Sequence, residues 1–298
     1  MMENFQIREA LPQDKEAILE FCRNTWEWGD YIPLVLDAWL SDPQSRLLVV
    51  TVEDKPVALA RVSWLTAKEA WIEGGRVAPE YRGKHIASRS MSQILQIAME
   101  MGAEVVYGNT PIDNTIVVGM MERMGAERIA TFIPYHAGAI ENAFQPLLVE
   151  SYSSFAEIWS VIERSQIYME ARGLYSTATH PIRCYKLSPE GLKRFLNSGK
   201  VLTLRKEDKI SSFALLSGNS HQKLLVEYID GQPSSLSEIA YSLRGYCFQK
   251  GLSEVVFVPP EIPFLLEALP SAGYHPVKEH TFLVFKLDLR QVLSRLSG

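Results

Sequence analysis

One series of segments occurs twice in this chain, about 150 residues apart. Met101-Gly-Ala-Glu-Val-Val-Tyr107 is answered by Gly251-Leu-Ser-Glu-Val-Val-Phe257, and Gly125-Ala126 by Gly273-Tyr274. The helix-forming run from Ser88 has a counterpart in Ser237 to Lys250, and the strand-like stretch Arg46 to Val62 has one in Val201 to Leu215. With 298 residues and 47% hydrophobic content, the chain can fill two separate cores. The repeat therefore predicts two α/β copies of one plan. The boundary is expected between Gly138 and Ser154, giving domains over 1–145 and 146–298. Residues 155–195 read as mixed helix and loop.

Periodicity fills in the first copy. Phe5 to Arg8 reads as a strand, Asp14 to Cys22 as a helix with Ile18, Leu19 and Phe21 on one face, and Leu34 to Leu40 as a second helix. Arg46 to Val52 and Pro56 to Leu65 read as strands joined by a turn at Glu53-Asp54-Lys55, and Ala70 to Val77 as a fourth strand. A helix over Ser88 to Met101 ends at Gly102. Glu104 to Gly108 is a strand, Thr115 to Met124 a helix closed by Gly125, and Arg128 to Pro134 a last strand.

The junction between the fourth strand and the next helix is Val77-Ala78-Pro79-Glu80-Tyr81-Arg82-Gly83-Lys84-His85-Ile86-Ala87. The first turn of a helix has unpaired N–H groups and a partial positive charge, which suit phosphate oxygens. Gly83 allows close backbone approach, and Arg82 and Lys84 add cationic donors. From the spacing alone, an ordinary turn with two solvated cations is an equally good reading.

The same loop resembles the pyrophosphate signature of the GCN5-related N-acetyltransferases (GNAT), Q/R-x-x-G-x-G/A. Arg82 stands in the first position and Ala87 in the last, while His85 replaces the central glycine. Downstream, Asn114 and Gly125 keep the separation of a second family element, with Met121 in place of its tyrosine and Ala126 in place of its final aromatic residue. The resemblance covers residues 5–135. It implies an α+β fold, two tandem acyl-CoA N-acyltransferase copies, each with a mixed central sheet flanked by helices, and acetyl-CoA as co-substrate. It assigns cofactor contacts to Arg76, Val77, Arg82, Gly83, Lys84, His85, Ile86, Ala87 and Asn114. His85 is expected to point to solvent while its N–H binds; Asn114 is expected near the pantetheine arm or as the cap of the helix from Thr115. The second copy is expected to be degenerate. Its junction, Asp230 to Ser237, has no Arg or Lys, and Asp230 would repel phosphate.

The resemblance also implies direct attack of an amine on a thioester held between the fourth and fifth strands. Backbone groups of Gly75, Arg76 and Val77 would polarise the carbonyl. The amine must lose a proton, and Glu73 is the candidate base, directly or through water, with an ion pair to Arg61 or Arg76 as the structural alternative. Met121 cannot donate a proton; Tyr107 could, although packing is the commoner role of a strand tyrosine. For the acceptor, Trp28, Asp30 and Tyr31 lie in an aromatic segment that would suit an ammonium by cation–π and ionic contact. The plainer reading is a hydrophobic cluster with Asp30 capping a helix that carries Pro33. The patterns Asp-Tyr-Ile-Pro and Trp-Leu-x-Asp-Pro are similar to a tandem branch that includes histidine N-acetyltransferase, which leans toward the α-amine of an amino acid.

Composition narrows the partners. A net charge of −5 with no long basic run argues against a nucleic-acid protein. No apolar run is long enough to span a bilayer, and no signal peptide is visible at the N-terminus. Three scattered cysteines, Cys22, Cys184 and Cys247, suit a reducing compartment and form no metal motif. The expected protein is cytoplasmic, a monomer with a pseudo-dimer of domains or a homodimer. The expected activity is acetylation of a small amine or amino acid. A peptide N-terminal acetyltransferase and an acyl-CoA sensor without turnover are the alternatives.

Overall fold

The structure is a computed structural model that describes residues 5–23, 25, 29–141, 147–178 and 182–296. The first series of elements is β1 (Gln6–Glu9), α1 (Lys15–Cys22), α2 (Ile32–Ser41), β2 (Ser45–Val52), β3 (Lys55–Trp64), β4 (Glu69–Val77), α3 (Ile86–Glu100), β5 (Val105–Pro111), α4 (Thr115–Arg123), β6 (Glu127–Phe132) and β7 (Tyr135–Gly138). The second is β8 (Leu148–Val149), α5 (Phe155–Ile162), α6 (Gln166–Glu170), β9 (Leu174–Ser176), β10 (Cys184–Lys186), α7 (Pro189–Asn197), β11 (Val201–Lys206), β12 (Lys209–Ser220), β13 (Lys223–Gly231), α8 (Pro233–Gln249), β14 (Glu254–Phe257), α9 (Pro263–Ser271), β15 (His275–Pro276), β16 (Phe282–Asp288) and α10 (Leu289–Leu296). The segment 155–195, unplaced by sequence, supplies α5 and α7, which stand where α1 and α2 stand in the first series.

Two seven-stranded mixed sheets result, ordered β1-β2-β3-β4-β5-β16-β6 and β8-β11-β12-β13-β14-β7-β15. The orders match position by position, with β7 and β16 exchanged. β7 follows the first series but pairs with β14, and β16 follows the second series but lies beside β5. The compact units interleave accordingly: one spans Met1–Thr110, Asn114–Arg128 and Phe285–Gly298, the other Pro111–Asp113 and Ile129–Val284. A single cut near residue 145 does not describe this division.

Local chemistry repeats with the topology. The two-residue hairpin between β2 and β3 puts Glu53 and Asp54 at φ 50° and 62°. The hairpin between β11 and β12 puts Glu207 and Asp208 at 49° and 61°. Tight hairpins need this left-handed backbone, which acidic residues enter more readily than branched ones. In the first unit, α1 buries Ile18, Phe21 and Cys22, and α2 buries Ile32, Leu36 and Trp39, against Leu47, Val49 and Leu59 of the sheet. Each such aliphatic side chain stabilises the unit by about 1.5–3 kcal/mol. The second unit has its own core, including Phe213, Tyr228, Leu243 and Phe257. All three cysteines are buried free thiols. Among the described residues no helix is long and apolar enough to cross a membrane.

Candidate active site

The first unit builds its site where β4 and β5 part. Glu69–Ile72 pair in parallel with Val105–Gly108, and the pairing stops there. On its other side β4 carries a bulge, since its partners on β3 shift between Leu59 and Arg61. Gly74 sits in this bulge at φ +71°, and a Cβ there would stand 2.7 Å from the Trp39 ring. Only glycine meets both conditions at low cost. The Gly74-Gly75 pair was the sequence signal for this bulge.

Beyond β4, a 3₁₀ turn over Pro79–Tyr81 leads into the loop before α3. The helix starts at Ile86, two residues earlier than periodicity predicts, and runs fifteen residues. His85 takes the N-cap place at φ 60°, and Gly83 has φ 75°. The histidine thus adopts the conformation a glycine enters freely, and histidine tolerates it better than most residues. Arg82, Gly83, Lys84, His85 and Ala87 are exposed, whereas Ile86 is buried and anchors the turn. Arg82 Nε donates to the Val77 carbonyl at 3.2 Å, and Lys84 Nζ lies 4.6 Å from the Tyr81 ring centre. Arg89 N–H donates to the His85 carbonyl at 3.0 Å, the opening bond of α3, so the N–H groups of the turn before it have no acceptor within the helix. Asn114 caps α4, its Oδ1 accepting from Val117 N–H at 3.3 Å.

Glu73 lies one residue past the last β4–β5 pair. Its Oε1 accepts from Arg61 Nη1 at 2.5 Å, with both side chains buried. Arg61 also donates to Asp42 Oδ2 (2.5 Å) and Ser45 Oγ (3.1 Å) and stacks over Trp39. The ion pair weighed as the alternative for Glu73 is thus formed, to Arg61 and not Arg76. The Tyr107 hydroxyl donates to Glu69 Oε1 at 2.8 Å, toward the paired end of the strands.

Arg76, Asp30 and Tyr31 contact one another. Arg76 Nε and Nη2 donate to Asp30 at 2.7 and 3.1 Å, and its guanidinium stacks on Tyr31 at 5.1 Å. The Asp30 side chain is 0% exposed. Burial acts to raise its pKa, but hydrogen bonds from Arg76 and the Ile32 N–H outweigh it and hold the carboxyl below its ordinary value. Burial pushes the Tyr31 phenol up to about 12, so it stays neutral. Asp30, one residue ahead of Tyr31 in the N-cap place of α2, is thus paired with Arg76, and its Oδ1 also accepts from the Ile32 N–H at 3.0 Å. The Arg76 guanidinium is engaged on both sides, by the Asp30 carboxylate and the Tyr31 ring. Trp28 lies outside the described residues.

The second unit keeps the strands and loses the loop. Ala78 N–H donates to Val57 and Gln232 N–H to Ser211, each just before a proline, which aligns β13 with β4 residue for residue. Pro233, the counterpart of Pro79, begins α8 directly, so a helix replaces the turn and loop. Tyr228 and Ile229 stand at the places of Gly74 and Gly75 and are buried in the core. The repeat also aligns Gly102 with Gly251, since each follows a helix C-cap at positive φ; the sequence pairing is corrected by one residue.

Residues 11–126 match the model of the acetyltransferase (GNAT) family. No curated protein matches the chain. Among solved structures, a GCN5-related N-acetyltransferase from Sphaerobacter thermophilus is similar at 14% identity, covering 96% of each chain with a TM-score of 0.65. One from Kribbella flavida is similar at 15% identity, covering 96% of this chain and 71% of its own, with a TM-score of 0.56. A tandem GNAT protein from the clavulanic acid biosynthesis pathway is similar at 12% identity, covering 96% of this chain and 99% of its own, with a TM-score of 0.57. At these identities the structures show the fold alone: two copies of the GNAT-like α+β fold in tandem.

Proposed function

We propose that the chain, whose residues 11–126 match the acetyltransferase (GNAT) family, is an acyltransferase whose first copy transfers acetyl from acetyl-CoA to a small amine or amino acid by direct attack, and that the second copy is not catalytic. One observation carries this reading: an exposed loop with two left-handed residues and two cations opens a fifteen-residue helix beside the point where β4 and β5 part. That arrangement fits acetyl-CoA. The loop N–H groups, Arg82 and Lys84 would hold the pyrophosphate, and Asn114 would lie along the pantetheine arm while its Oδ1 caps α4.

Acetyl-CoA supplies an activated thioester. Backbone groups of Gly75, Arg76 and Val77, on the unpaired end of β4, are placed to orient its carbonyl. Glu73, the first side chain beyond the paired ends, is the group to take the amine proton, through an ordered water because Oε1 is engaged by Arg61. The departing thiol has a pKa of about 8.5 and leaves as thiolate with little help, and Tyr107 is turned to Glu69. The amino-acid lean rests on the Asp30-Tyr31-Ile32-Pro33 pattern alone. The sensor reading draws on the Arg61–Glu73 pair, which already engages the carboxylate proposed as base.

Release of free thiol from acetyl-CoA, measured against amino acids, polyamines and short peptides, separates these readings. Release with an amino acid or small amine supports the proposal. Release with peptides alone moves it to an N-terminal acetyltransferase. Cofactor binding with no release across the panel favours the sensor.

A further inference from the structure

The second unit holds a cavity of about 470 Å³ that acyl transfer does not use. Its place in the repeat is specific. The parallel ladder Lys223–Val226 with Glu254–Phe257 repeats Glu69–Ile72 with Val105–Gly108, so Lys223 holds the place of Glu69 and Val256 that of Tyr107. The cavity therefore opens on the sheet face that, in the first copy, carries the Glu69–Tyr107 contact.

The polar side chains of that face differ between the copies. Where the first copy has Glu69, the second presents Lys223, with His136, His221, His280 and Ser220 also lining the cavity. No Asp or Glu is among its described lining residues. Glu254, opposite Lys223 in the ladder, fixes two of them: its Oε1 meets His136 Nδ1 at 2.8 Å and its Oε2 meets Lys223 Nζ at 2.8 Å. Both side chains stay partly exposed, at 33% and 40%. An ammonium has three donors, so this contact leaves Lys223 others to offer. The remaining wall is apolar, with Val256, Val258 and Ala178. A pocket with clustered N–H and O–H donors at one side and an apolar wall at the other suits a ligand with an anionic head and an apolar body.

We propose that this cavity is a second ligand site, and that it binds a small carboxylic acid with an apolar body without turning it over. Tyr228 and Ile229 fill the counterpart of the Gly74-Gly75 site, and no phosphate loop precedes α8, so the second copy holds a ligand beside no acyl donor of its own. This inference does not depend on which amine the first copy acetylates.

The test is titration of the full chain, followed by calorimetry, with hexanoate and phenylacetate, and with hexylamine, phenethylamine and inorganic phosphate as controls. Saturable binding of a carboxylate, weakened at least about tenfold by Lys223→Ala, is the expected result. Lys223 is partly exposed and its partner Glu254 keeps His136, so an unchanged melting temperature verifies that the variant is folded. Absence of saturable binding by either carboxylate overturns the proposal. So does binding that Lys223→Ala leaves unchanged, preference for the amines, or binding of phosphate alone.

Discussion

His85, where the motif has its central glycine, takes the left-handed conformation at φ 60° before α3 while its side chain stays exposed, a backbone that glycine enters freely. For Glu73, the position and the two candidate partners, Arg61 and Arg76, were legible in sequence, but the choice between them was not, because it depends on the bulge that brings Arg61 opposite it. Glu73→Gln is expected to lower kcat/KM at least about a hundredfold and to flatten the acid limb of its pH profile. Arg61 retains Asp42 and Ser45, so the variant should stay folded. An unchanged pH–rate profile removes Glu73 as base. Asp230 gives a second prediction at this scale. Burial raises its carboxyl to about 6, against about 4 in an unfolded chain. The folded state then binds the proton more tightly, so this group's contribution is complete below pH about 4 and is lost as the pH rises through 6. Asp230→Asn should therefore reduce the fall in melting temperature between pH 5 and 7. A fall as steep as in the unmodified chain contradicts it.

At the scale of elements, β4 does most to shape the site. Its paired half fixes β5, its bulge admits Trp39 from α2, and its free half faces the opening. Gly74→Ala adds a methyl 2.7 Å from the Trp39 ring and forces φ +71° on an L side chain. It should cost about 1–3 kcal/mol, read as a lowered denaturation midpoint. A neutral effect would mean that Trp39 can move aside. Strand and helix identities in the first copy were readable because burial imposes periods of two and 3.6, and boundaries moved by one to three residues, the most at the end of β5. The acceptor segment was harder. Asp30 beside Tyr31 reads equally well as a ligand site or a packed cap, and only the distance to Arg76, forty-six residues away, decides which bond forms.

Across the whole molecule, the duplication was visible in sequence but the strand exchange was not. Repeated segments reveal two copies; they carry no mark of which sheet a late strand joins. The consequence is testable. A fragment ending at residue 145 lacks β16 and leaves the apolar edge of β5 unpaired, a template for aggregation. It should be recovered largely insoluble, and a soluble, cooperatively melting fragment would show that β16 is dispensable.

The central claim is that one copy, through its loop, holds acetyl-CoA. Calorimetric titration of the full chain with acetyl-CoA tests it most directly. The account predicts a single site per chain, with Arg82→Ala weakening it by about 10–100-fold, the value of one charge-assisted contact to phosphate. Two equivalent sites per chain, or an affinity untouched by Arg82→Ala, would contradict it.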